Sequence, residues 1–109
     1  MDDRRWIPIR YRDFWNVPRI FLAQDGTQSY LFDCKFDDAT GDYPDIYKVY
    51  TIPTIPDESL PKDWDLLLPM VTNYQGEVPL DGVRFDPSRR RFIDAAILDR
   101  LRAGRPVVQ

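Results

Sequence analysis

The feature that most constrains the fold lies in residues 17–36, where two β-leaning runs flank Asp25-Gly26, a strong two-residue turn signal. This predicts a β-hairpin. In its second arm Tyr30, Phe32, Cys34 and Phe36 fall on one face, with Ser29, Asp33 and Lys35 on the other and Leu31 as the exception. One face is therefore expected to meet the core and the other to meet solvent. In the first arm Ile20 and Leu22 alternate with Phe21 and Ala23. Both of its faces are apolar, which suits a strand central in the sheet and covered on both sides.

Around this hairpin the chain reads as short elements divided by prolines. Residues 37–45 carry Gly41 and Pro44 among aspartates and read as a loop. Residues 47–52 predict a third strand, ended by Pro53. The proline-rich stretch 53–61 is expected to be extended. Leu60, Trp64, Leu67, Leu68 and Val71 repeat at helical spacing, predicting a short helix over about 61–68 that Pro69 limits. Residues 78–85 contain Pro79 and Gly82 and suit an edge or bulged strand.

Asp86-Pro87-Ser88-Arg89 fits a type I turn, with 91–93 as a short return strand. Asp94 then suits the N-cap of a helix over 95–103, closed by Gly104. The fold class expected is α+β: an antiparallel meander of three to five strands packed with one or two short helices. A small, partly open barrel is the alternative, because strands apolar on both faces favour strong curvature. The 109 residues suit a single globular domain (1–109), with residues 1–16 packed on it as an aromatic and arginine-rich segment and 105–109 as a frayed tail.

The chemistry on offer is narrow. The chain has no histidine and one cysteine, Cys34, which removes histidine-bearing zinc sites, Ser-His-Asp and Cys-His pairs, and any intrachain disulfide. Cys34 reads as a small buried hydrophobe. Its basic neighbour Lys35 points to the opposite strand face, so nothing in sequence generates a thiolate. The five glycines are scattered, so no phosphate-cradling loop is present. The two glutamates, Glu58 and Glu77, sit in connections that fix no carboxylate pair. No catalytic residues and no cofactor are expected.

Three clusters remain as candidate sites. Arg5, Trp6, Arg10, Tyr11, Arg12 and Trp15 mix the residue types enriched at interface hot spots, and form the expected partner-binding set. Such a mixture also suits single-stranded nucleic acid, but a formal net charge of −3 disfavours polyanions. Arg84, Arg89, Arg90 and Arg91 make a second basic cluster, with Asp86, Asp94 and Asp99 close in sequence to neutralise it. No metal site is expected. The nearest alternative is calcium on Asp37, Asp38, Asp42 and Asp45, whose spacing departs from the EF-hand loop.

No apolar run has the length of a membrane span, and no signal-peptide core follows Met1-Asp2-Asp3-Arg4-Arg5. A cytoplasmic setting is expected. The function expected is that of a small non-catalytic module that binds another protein or self-associates, in an accessory, antitoxin-like or immunity-like role. A carboxylate-dependent enzyme or calcium module on 37–45, and single-stranded nucleic-acid binding by the N-terminal segment, are the alternatives.

Overall fold

A computed structural model describes residues 6–15, 17–34, 38–42, 44–86 and 91–102, with side chains described there except at 12–15, 17, 65 and 102. The strands are β1 (Trp6–Trp15), β2 (Val17–Asp25), β3 (Gln28–Asp33), β4 (Ile46–Ile52), β5 (Asn73–Pro79) and β6 (Phe92–Asp94), followed by helix α1 (Ala96–Arg102). They form one open antiparallel sheet in the order β5-β4-β3-β2-β1-β6. The meander is thus longer than three to five strands, and the sheet does not close into a barrel.

The extra strands come from two segments whose alternation prolines and arginines disguise. Residues 6–15 are not a layer lying on the sheet; they are β1, paired with β2 along one side and with β6 along the other. Ile7 and Ile9 are buried while Trp6 and Pro8 are exposed, a period of two that Pro8 tolerates at this place in the ladder. At the other end, β5 begins at Asn73 rather than near Val78 and stops at Pro79. Tyr50 faces Tyr74 while Val49 faces Gly76, so Gln75 is an extra residue and this edge strand is bulged, but upstream of the 78–85 stretch expected to carry the strand, where Leu80–Gly82 is a 3₁₀ turn that follows Pro79. Gly76, at φ 124°, takes the backbone conformation this requires.

The hairpin of β2 and β3 forms one residue later than Asp25-Gly26 implies. Asp25 pairs with Gln28, so Gly26 and Thr27 make the turn, with Gly26 at φ 65°. Both strands are central. One face carries an aromatic cluster in which Phe21 and Phe32 stack at 4.5 Å between centroids and Tyr47 sits edge-on to both, at 5.3 and 5.8 Å. Such pairs add about 0.5–1.5 kcal/mol each beyond the area they bury. Ile7, Ile9, Val49, Val78 and Ile93 extend this first core, and α1 closes it with Ile97, Leu98 and Leu101. Asp94 accepts a hydrogen bond from the Ala96 amide at 3.0 Å, the capping role expected of it.

Over β2 and much of β3 and β4 the opposite face does not meet solvent either. Ile20, Leu22, Leu31 and Ile52 form a second core with Ile55, Trp64 and Leu67, contributed by the connection from β4 to β5. Leu31, the exception to the alternation in β3, stands at the centre of this core and is fully buried. Ser29 is buried too, its hydroxyl shared with Thr54 at 2.9 Å. The cover is not the α-helix that the apolar spacing predicts. It is a 3₁₀ segment, Trp64–Met70, containing Pro69, preceded by a 3₁₀ turn at Asp57–Ser59. Pro61 and Pro69 leave too few residues between them for a cooperative α-helix, and short 3₁₀ turns place Trp64 and Leu67 on the sheet instead.

Candidate protein-interaction surface

Strand alternation decides where the N-terminal aromatic and basic residues can act. In β1, Ile7 and Ile9 point into the first core, which puts Trp6, Pro8 and Arg10 on the face of the second core. Tyr11 pairs with Phe21 and belongs to the first face. Trp6 and Tyr11, 36% and 38% exposed, therefore lie on opposite sides of the sheet. The expected partner-binding set is split, because residues five apart in a strand cannot share a face. Arg12 and Trp15 occupy β1 opposite Ile20 and Val17, with side chains outside the description, and Arg5 lies outside the described residues.

What the sheet does bring together is a different strip. Pro8 pairs with Phe92, and Trp6 with Asp94, so Trp6, Pro8 and Phe92 share the second face at its β1–β6 end. Phe92 is 39% exposed. The cover over β2, β3 and β4 does not extend across these residues. Pro8 and Leu22 of the sheet and Ile55 and Pro56 of the cover line a groove of about 330 Å³. Phe92 was missed in sequence because its apolar side belongs to a three-residue strand whose face is set only by pairing with β1.

Arg10 also lines this groove and is not a free binding group. Its Nη1 donates to the Ile55 carbonyl at 2.8 Å and to Asp57 Oδ1 at 2.6 Å, tying β1 to the cover. Arg19 departs further from the pattern of arginines at the surface, with 8% exposure. Its Nη1 donates to Cys34 Sγ at 3.4 Å, and the thiol donates to the Pro44 carbonyl at 3.2 Å. Cys34 thus has a basic neighbour that the sequence reading did not assign. Hairpin register supplies it, since the Cys34 amide also bonds the Arg19 carbonyl, at 2.7 Å.

That neighbour does not outweigh burial. Burial pushes the Cys34 thiol up, the Arg19 hydrogen bond and charge pull it down, and Asp33 and Asp45 add to the rise. The balance is upward, so the thiol holds its proton.

Of the second basic cluster, Arg84 and Arg91 are described. Arg84 is exposed and lines a cleft of about 350 Å³ with Asp81, Asp94 and Arg100, a mixed-charge setting. Arg91 is exposed and its amide donates to Asp86 at 2.8 Å, while Arg89 and Arg90 lie outside the described residues. In the acidic loop Asp38, Asp42 and Asp45 are exposed and Asp37 lies outside the description. Among the described residues no group of three acidic or cysteine side chains is placed to hold a metal ion. No described helix is long and apolar enough to cross a membrane. No known family model, characterised protein or solved structure matches the chain.

Proposed function

We propose that this chain is a non-catalytic module of the cytoplasm that acts by binding another protein, in an accessory, antitoxin-like or immunity-like role. The observation that carries the reading is the partly exposed strip of Trp6, Pro8 and Phe92 on one face of the sheet, with Pro8 lining the groove beside Leu22 and Ile55. Aromatic side chains held on a rigid sheet offer large contact area at low entropic cost, the character of interface hot spots. A protonated, buried Cys34 and the lack of histidine leave little for proton transfer or nucleophilic attack, which favours binding over catalysis.

The test compares capture from a cell extract by the natural chain and by a Trp6→Ala/Phe92→Ala variant of matching Tm. The expected result is a protein recovered by the first and lost by the second, with affinity of the purified pair weakened by about 2 kcal/mol or more. Equal recovery by both moves the interface off this strip. Recovery of no partner, with strictly monomeric sedimentation, removes the reading.

A further inference from the structure

The connection between β4 and β5, residues 53–72, is far longer than the roughly 2–5 residues that usually join antiparallel neighbours, and long connections of this kind are commonly functional. It leaves β4, crosses the second face as far as Arg10 of β1, and returns to β5. Its internal backbone bonds are of the 3₁₀ type, in the turn Asp57–Ser59 and the segment Trp64–Met70, with Leu60 to Asp57, Leu66 to Asp63 and Val71 to Leu68 among them. These are poorer bonds than an α-helix or a ladder would supply. The connection rests on the sheet through Ile55, Trp64 and Leu67, in a cluster that shares no residue with the first core. Its polar fastenings include Ser29 to Thr54, Thr72 to Thr51 and the pair of bonds from Arg10.

We infer that residues 53–72 form a strap that opens and closes over the second face as one unit while the sheet and first core stay folded, and that Arg10 is its latch. A segment with few buried contacts of its own and weak internal bonds belongs to the low-stability end of a fold. Arg10 grips the strap at Ile55 and Asp57, shortly after it leaves β4, and is the point at which the strap is fastened to β1. Opening uncovers Ile20, Leu22, Leu31 and Ile52. Through Leu22, which already lines the groove, that surface becomes continuous with Trp6, Pro8 and Phe92. The inference is independent of the binding reading, since the experiment uses no partner.

Residue-resolved hydrogen exchange of the full chain in a series of low urea concentrations tests it. The amides of Leu60, Leu66, Val71 and Thr72 are expected to share one opening equilibrium, with a urea slope below about half that of global unfolding. Their protection should be at least about tenfold lower than that of ladder amides in β2 and β3. Arg10→Ala should raise the shared opening by about tenfold with its slope unchanged, in keeping with loss of a charge-assisted bond. Exchange with the full global slope, or four unrelated slopes, overturns the strap; unchanged protection in Arg10→Ala overturns the latch. Should Arg10→Ala not fold, Asp57→Asn decides the latch: it keeps the Ile55 bond, so two- to threefold faster opening is expected and no change overturns it.

Discussion

Tyr47 donates its hydroxyl proton to the Pro18 carbonyl at 2.7 Å, fastening β4 to the start of β2 across the width of β3. Both residues are fully buried, so no water competes for the bond. Tyr47→Phe keeps the ring between Phe21 and Phe32 but leaves that carbonyl unpaired in the core. A loss of about 1–3 kcal/mol in urea unfolding is expected, with the slope unchanged. A neutral substitution would mean that the carbonyl finds another donor.

Leu31 and Phe32 are neighbours that serve different cores, and that separation is measurable. Leu31→Ala is expected to cost about 2–5 kcal/mol and Phe32→Ala about 3–5 kcal/mol, because each leaves a cavity between packed layers. If the second face were open to solvent, the Leu31 variant would cost under about 1 kcal/mol.

The hairpin, the centrality of β2, the third strand and the cap at Asp94 were legible because each rests on local chemistry: alternation, turn residues, proline and a capping carboxylate. The second core was not. Leu31 registers in sequence as one misplaced residue, and only the cover, with Ile55, Trp64 and Leu67 far along the chain, gives it a partner. The register of four strand pairs places Arg10, Leu22, Leu31, Tyr50 and Tyr74 in one row across the sheet, a relationship no local window contains. The same register carries Asp33, Lys48 and Glu77 side by side with alternating sign, which supports the ladder. The site followed suit. Counting aromatics and arginines in β1 found Trp6, but the partition by face, and Phe92 beside Pro8, needed the pairing with β6.

Gly26 is the one hairpin residue whose backbone demands glycine. At φ 65° a Cβ meets no neighbouring atom, so any penalty for Gly26→Ala comes from backbone strain rather than from crowding. The expected loss is about 1 kcal/mol in urea unfolding, with the fold unchanged. A gain in stability would show that the turn relaxes to a form with negative φ.

Stability should also fall on the alkaline side, through two groups that burial keeps protonated. Cys34 is raised by burial against the opposing pull of Arg19, and Tyr47 is raised by burial above all, with the Cys34 charge adding to it. For an acid whose folded pKa lies above its unfolded value, the unfolded chain releases its proton first as pH rises. The contribution is therefore complete below the unfolded pKa, about 8.5 for cysteine and about 10 for tyrosine, and is lost as pH climbs toward the folded value. Urea unfolding should give a flat plateau near neutrality, a decline from about pH 8.5 and a steeper one above about pH 10. Cys34→Ala removes the first decline and keeps the second, and Tyr47→Phe does the reverse. A plateau that runs unbroken through pH 10.5 in the natural chain would mean that neither proton is held by the fold.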